Sequence, residues 1–482
     1  MSKRASSIGA AAAMQYSSKI ICIVMQLVLQ AVLARLLAPS EFGIVAVVAV
    51  FLAFFNILSD LGISPAIIQF NDLGRKEYGQ LFLASSILGI LLMAAFAALS
   101  LPIAWFYEDE LYRSYIPVAS VTVLFATLNA VPNGLMLKRR LFAAIAVRQI
   151  VASAASVAIS IAMAYTGFGC YALIFQSISS AMIVFAWNFL SVRQDVHPHI
   201  QGLISTIRRI FKYSAFQSIW AIINYFSRSL DSLLLAKFMG PETLGFYDRA
   251  YKLTTYPVTN VSGVLGGVLQ PFLSKYQHDY AKMYCRYVEI LKPVSLVAVL
   301  IAAEFLLCPR EIVLLFYGEQ WEESVVLFQL LSTSVYFQIM NNLISPLLQS
   351  TGRTDVLFIS GTICTAMTLT AIIAGVFSGS VVTLAALVAS AYTLHTAVYV
   401  VIVVRRLFKR SIGRYFKEFL PEAAFLVICV LAVVTAERFV GQAESLLASL
   451  VVKTSIILLV YVAVMGMFKQ FSSFRNIVKS EE

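Results

Sequence analysis

The sequence predicts an all-α polytopic membrane protein with about fourteen transmembrane helices, and three observations carry that expectation. Its 482 residues are 60% hydrophobic and only 13% charged, with a mean hydropathy of +0.84. A soluble domain is nearer a quarter charged. Apolar runs recur from end to end, each enough for the roughly 20 residues that cross hydrocarbon. The loops between those runs alternate in charge, basic then acidic, as the excess of Lys and Arg in cytoplasmic loops requires.

The expected spans lie near 14–37, 41–68, 79–106, 112–136, 144–166, 169–191, 211–239, 244–270, 287–308, 323–350, 355–378, 380–404, 416–437 and 445–468. Gly and Pro punctuate the tight joints, as at Ala38-Pro39-Ser40, Gly167-Phe168-Gly169, Gly240-Pro241 and Gly379-Ser380. Lys3/Arg4, Arg75/Lys76, Lys138 to Arg140, Arg208/Arg209, Lys275/Lys282, Arg353, Arg405 to Lys417 and Lys469 to Lys479 fall on one side. Glu108 to Glu110, Glu311, Glu319, Glu322/Glu323, Glu437 and Glu444 fall on the other. One miscounted span would break this alternation, so the pattern predicts an even count with both termini cytoplasmic.

The net charge of +11 is therefore a loop property, and no Arg-aromatic interleaving suggests nucleic acid. The six cysteines are scattered without CxxC spacing, and most sit in or beside apolar runs as small hydrophobes. The stretch after Met1 to Arg4 contains Lys19 and is too long for a signal h-region, so it reads as a retained first span. His197-Pro198-His199 lacks further ligands for a metal. No GxxxxGK[ST] phosphate loop is present. No loop has room for a soluble domain, which places function inside the membrane.

Lys212 to Gly240 is the anomaly in this apolar chain. Asn224, Arg228 and Asp231 stand at i, i+4 and i+7, on one helical face. A charge at bilayer depth costs about 2.5–3.5 kcal/mol on insertion scales, a cost accepted where the face meets water or a polar partner. The end of this helix also repeats an earlier stretch. Ala34-Arg-Leu-Leu-Ala-Pro39-Ser-Glu-Phe-Gly43 recurs as Ala236-Lys-Phe-Met-Gly-Pro241-Glu-Thr-Leu-Gly245. Pro39 to Pro241 and Gly43 to Gly245 keep one offset. A looser echo pairs Asn129, Pro132 and Arg139 with Asn342, Pro346 and Arg353. The repeat divides the chain into 1–191, a loop at 192–210, a second six-helix unit at 211–404, and a basic loop with two further helices and a tail at 405–482. Parallel repeats of this kind put a transport path between the halves.

These residues resemble the polysaccharide-export branch of the multidrug/oligosaccharidyl-lipid/polysaccharide flippase superfamily, the Wzx-like and teichuronic-acid-exporter-like proteins. The motifs that carry the resemblance are the Ala34 to Gly43 run with Ser59-Asp60-Leu61-Gly62 and Ile67-Ile-Gln69. Gly167 to Leu173 with Gln176, Asn224 with Asp231, and Gly240 to Leu253 followed by Pro257 and Pro271 complete them. The likeness covers spans one to ten and is faint beyond. It implies two six-helix lobes in a V, as in MATE and related transporters, with helices thirteen and fourteen packed outside. It also implies export of a polyprenyl-diphosphate-linked oligosaccharide across a bacterial inner membrane by alternating access. That glycan would be an O-antigen, exopolysaccharide or capsule repeat unit. Its partners would be the lipid-linked oligosaccharide, membrane lipids, and polysaccharide polymerase and chain-length or export proteins, with no nucleic acid.

Such a cargo needs cations for phosphate and hydrogen-bonding side chains for sugar. Polar stripes at helical spacing supply candidates. The substrate-binding candidates are Lys19, Gln26 and Gln30 on helix one; Asn224, Arg228 and Asp231 on helix seven; Lys252 on helix eight; and Asn342 on helix ten. Each has a plainer reading. Lys19, Arg148 and Lys292 lie near cytoplasmic ends and read as snorkelling side chains. Arg228 and Asp231 read equally as a pair that glues helices. A structural role is the safer reading of Asp248, and amide stripes more often bond helix to helix. Asp60 and His395 are the coupling candidates, although packing is favoured for Asp60 and hydrogen-bonded structure for a lone intramembrane histidine. No cofactor is expected; an H⁺ or Na⁺ gradient, the cargo gradient or the membrane potential would drive transport.

Two rival functions are weighed. A multidrug or small-cation exporter of the same superfamily would want unpaired buried acids, whereas the deep charges include Arg228 and Lys19. A membrane glycosyltransferase, polymerase or ligase would need an acidic site on a large outer loop, and Glu108-Asp109-Glu110 sits on a short one.

Overall fold

Proline and glycine decide where the helices begin and bend. The computed structural model describes residues 2–60, 62–70, 72–440, 445–468 and 470. Within these, side chains at 2–13, 205, 207–224, 226–228, 262–268, 406, 414 and 438–440 lie outside the description. Among the described residues the regular structure is helical throughout. Eleven helices among the described residues are long and apolar enough to cross a membrane. The expected spans 211–239 and 244–270 both lie within one long helix, and 323–350 is a chain of three shorter ones.

The chain groups into two units, Met1–Gly245 and Phe246–Glu482. In the first, α1 (Ser2–Leu36) packs on α8 (Phe142–Tyr165), and α8 packs on α9 (Cys170–Val192). Three expected spans are broken: α2 (Pro39–Asp60) leads to α3 (Ile63–Gln69), α4 (Arg75–Ala98) to α5 (Ser100–Tyr107), and α6 (Leu111–Leu128) to α7 (Ala130–Lys138). The first break follows from Gly62, whose φ of 73° ends α2 in the left-handed region that a side chain disfavours. Helix α10 (Leu203–Ser274) bends at Gly240, where φ is 88° and ψ 166°, so it is two helical segments.

At the outer joints the sequence repeat becomes a contact. A Cβ added to Gly43 would stand 1.6 Å from the Pro241 carbonyl oxygen, and one added to Gly245 would stand 2.0 Å from that of Pro39. Each Pro-x-x-x-Gly copy therefore receives the other's proline carbonyl against its glycine. Lys237 Nζ, at the same end, meets Glu108 Oε1 at 2.7 Å and lies 5.2 Å from the Phe106 ring centroid. That hydrogen bond and charge hold the Glu108 carboxyl below its ordinary value. At the opposite end, buried Asp195 bridges Arg75, at 3.1 Å, and Arg139.

In the second unit, α11 (Tyr280–Leu307) is central. The unit continues with α12 (Pro309–Tyr317), α13 (Glu322–Ser332), α14 (Val335–Asn342), α15 (Ile344–Ser350), α16 (Thr354–Phe377) and α17 (Val381–Tyr399). A π-helical turn at Val400–Leu407 leads to the short α18 (Ile412–Lys417). Leu291, Val294, Ile339, Leu343 and Leu347 form its main core. The last two helices, α19 (Leu420–Val440) and α20 (Leu446–Met467), pack on α11 through Leu296, Ala303, Phe425 and Ile457. Polar contacts pin them along their length. Lys292 meets Glu418 at 2.6 Å, Glu304 accepts from Thr454, and Lys453 lies 2.7 Å from both Glu311 and Glu437. Burial raises the Glu311 carboxyl, but the bonds from Lys453 and Ser449 outweigh it and keep the group below its ordinary value. Large apolar side chains such as Trp105, Phe377, Leu431 and Leu459 stand exposed on the outside, as a lipid-facing surface requires.

Candidate functional site: a polar cavity in the first unit

Two helix breaks meet inside the first unit. α3 packs on α7. Ser64, the second residue of α3, places its Oγ 2.7 Å from Asp60 Oδ1 and 2.8 Å from the Ala130 carbonyl oxygen. Ser64 N also donates to Asp60 Oδ1 at 3.1 Å, so Asp60 caps the helix that restarts after Gly62. Gly134 lets the backbones approach: its Cβ would stand 3.1 Å from the Ser64 Cα.

Beside these breaks lies a cavity of about 610 Å³. Its wall repeats one face of each helix at spacings of three and four: Leu52, Asn56 and Asp60 from α2; Thr122, Ala126, Asn129 and Asn133 from α6 and α7; Gln176, Ser180 and Val184 from α9. Discontinuous helices commonly build transporter ion and substrate sites, because their ends free polar backbone and admit polar side chains. Among the described residues, Asp60 is the single titratable group in the wall.

Behind the asparagines sits Arg148 on α8, only 6% exposed. Its Nη1 donates to Asn188 Oδ1 at 2.8 Å and stands 3.4 Å from Asn133 Oδ1. Asn188 Nδ2 in turn donates to Asn129 Oδ1 at 2.8 Å. The snorkelling expected for Arg148 is thus corrected: the side chain turns into the helix bundle, where α7 and α9 supply carboxamide oxygens. Lys292, expected to snorkel, is tied to Glu418 instead.

The other expected residues fall as follows. Gln26 accepts from Gln176 Nε2 at 3.1 Å, which joins helix one to the cavity wall. Gln30 is buried and Lys19 exposed. Asp231 is buried and accepts from the backbone N–H of Ser232 at 2.7 Å, while the side chains of Asn224 and Arg228 lie outside the described residues. In the second unit, Asp248 Oδ2 receives both Arg249, at 2.7 Å, and Lys252, at 2.9 Å. Asn342 ends α14 at its break and is exposed. His395 is buried with Nε2 2.9 Å from the Cys364 carbonyl oxygen and 3.2 Å from Thr368 Oγ1. Of the candidates, the cavity thus brings together Asp60 and, through Gln176, Gln26. Sequence reasoning passed over Asn56, Thr122, Asn133 and Asn188, whose only signal was amide and hydroxyl residues on apolar faces.

Helical units with broken membrane helices beside a cavity lined in part by polar side chains define a fold class, the MATE-like fold. The solved structure of the lipid II flippase MurJ, in an inward closed conformation, matches with a TM-score of 0.72 over 97% of this chain and 99% of that one, at 13% identity. An inward-facing multidrug-resistance MATE transporter matches at 0.60 over 79% and 92%, at 16% identity. Residues 32–326 match the family of polysaccharide biosynthesis proteins, and the chain belongs to that family. Among curated relatives, the lipopolysaccharide biosynthesis protein WzxC of Escherichia coli (strain K12) is 25% identical, covering 74% of this chain and 72% of that protein. The teichuronic acid biosynthesis protein TuaB of Bacillus subtilis (strain 168) is 24% identical over 89% of each.

Proposed function

We propose that this protein is a flippase that carries a polyprenyl-diphosphate-linked oligosaccharide across the bacterial inner membrane by alternating access, and that it transports without chemical conversion. Membership of the polysaccharide biosynthesis family over residues 32–326 carries this reading. It is supported by relatives named for lipopolysaccharide, teichuronic acid and succinoglycan biosynthesis, the last as a transport protein. The charge pattern of the loops supports both termini in the cytoplasm. Cells that lack the protein are expected to accumulate the lipid-linked oligosaccharide on the cytoplasmic leaflet, read by leaflet-selective labelling. A wild-type leaflet distribution in such cells would overturn the proposal.

Arg228 is the residue we assign to the anionic part of the cargo, on the strength of its place on the face shared with Asn224 and Asp231. Arg228→Ala is expected to lower export about tenfold or more, the scale of losing one charge-assisted bond of ~1.5–3 kcal/mol. Insertion, judged by the amount of protein in the membrane, should be unchanged. Full export by that variant would give Arg228 a structural role.

A further inference from the structure

We propose that the basic loop joining the membrane spans Val381–Arg405 and Leu420–Glu437 is a docking surface for acidic phospholipid. Arg405, Lys409 and Lys417 meet the headgroup phosphates, and Phe416 and Leu420 enter the acyl boundary. From Arg405 to Lys417 the chain carries six cations in thirteen residues and no carboxylate. Glu418, which ends the run, is held by Lys292 of α11 at 2.6 Å. Density of charge marks many loops at a membrane face; what sets this one apart is that its charges are unmatched. Its neighbours are paired: Arg286 lies 2.7 Å from Glu289, Arg353 3.0 Å from Asp355 and Lys282 3.5 Å from Asp279. Among the described residues, Arg405, Lys409 and Lys417 have no carboxylate partner, and all three are exposed.

Aromatic anchors fix the loop from within. Phe408 is buried among Tyr280, Tyr284 and Tyr287, with ring centroids 5.3 to 6.5 Å away. The Arg410 guanidinium lies 5.6 Å from the Tyr284 ring centroid, and Arg410 N donates to the Val404 carbonyl oxygen at 2.9 Å. Between these anchors Lys409 takes a φ of 51°, the left-handed region that glycine enters freely and a side chain does not. Such a residue persists only where its surroundings hold it, and such outliers gather at functional positions. Further along, Phe419 turns into the core with Tyr415 packed beside it, while Phe416 and Leu420 are 53% and 57% exposed.

Depth and chemistry select the partner. Arg405 closes one span and Leu420 opens the next, so the loop between them lies at headgroup level. At that level a phosphodiester supplies the anion and an acyl chain the apolar surface. One lipid molecule thus answers both the unmatched cations and the two exposed apolar side chains. Clusters of about four to eight Lys and Arg beside a membrane helix hold acidic lipid by this electrostatic attraction, and apolar side chains on the same segment add to it. An acidic protein segment is the rival occupant. It would satisfy the cations but gain nothing from Leu420, which opens a membrane helix. The lipid concerned belongs to the surrounding bilayer, so this surface stands apart from the flippase reading.

The test titrates the purified full-length protein, in neutral detergent, with phosphatidylglycerol or with phosphatidylcholine of the same chain length, and follows the melting temperature. A saturable rise is expected with phosphatidylglycerol alone, and high salt should weaken it. Arg405→Gln, Lys409→Gln and Lys417→Gln should each raise the midpoint about fivefold. Arg353→Gln, which removes a cation already paired with Asp355, should leave it unchanged. Lys409→Gly separates binding from folding. Glycine accepts the left-handed backbone, so this variant should melt no lower than the wild type without lipid, yet its midpoint should rise as in Lys409→Gln. Phe416→Ser should weaken the lipid several-fold with every charge in place. An equal response to the two lipids, or an unchanged midpoint in Lys409→Gly, would overturn the assignment. An equal rise with glycerol phosphate or polyglutamate, or an unchanged midpoint in Phe416→Ser, would reject the lipid as the occupant.

Discussion

Gly43→Val is expected to abolish the reciprocal contact at the outer joints and to reduce export more than tenfold. The reason is geometric. The atom that collides with the new Cβ is a backbone oxygen, Pro241 O, 1.6 Å away. No rotamer change relieves a clash between a Cβ and a main-chain atom, so the two helical segments must separate. Overpacking costs about 1–3 kcal/mol where side chains can give way, and a backbone clash belongs at or above the upper end. Gly245→Val should behave alike, because its Cβ meets Pro39 O at 2.0 Å. Gly361→Ala is the control: nothing lies within 4 Å of its added Cβ. Thermal unfolding and export of the three variants read the outcome. Wild-type behaviour of Gly43→Val would mean that the joints do not meet in the working protein.

The second large effect is expected at Asn188. This side chain is fully buried, accepts from Arg148 and donates to Asn129. Asn188→Leu keeps the volume and leaves the guanidinium without its best partner in a medium where an uncompensated charge is expensive. A loss of about 3 kcal/mol is expected. It should appear as a lower melting temperature and less protein in the membrane. Asn188→Asp restores an acceptor, now charged, at the cost of the bond to Asn129, and should recover part of the loss. If Asn188→Leu melts with the wild type, Arg148 is satisfied by Asn133 and Gln149 alone.

Much of this molecule was legible before its coordinates. Hydropathy and the alternation of loop charge pointed to a many-span helical protein, because lipid leaves the backbone few ways to satisfy its polar groups. The Pro39/Gly43 and Pro241/Gly245 repeat was visible as matching strings, and so was Asp60 as a carboxylate at membrane depth. Period and composition act over one helix at a time, and that is their limit. They could not show that spans two, three and four break, nor that span ten is three helices, since a Gly62 or an Asn129 is compatible with a bent helix or a restarted one. Arg148 was misread for the same reason: distance from a helix end says how far a side chain could reach towards water, but not which neighbour it faces.

The chain's own pattern of apolar runs thus determines that it is a helical protein of many membrane spans. The partners of its buried polar groups depend on packing. Asp60 and Thr122 lie more than sixty residues apart in sequence, and only the docking of α2 and α3 against α6 and α7 gives them a common wall. Likewise, the repeated glycines signal flexible turns when read singly. In three dimensions each is the space into which the other copy's proline carbonyl fits, and a missing Cβ acquires that meaning only once its neighbour is in place.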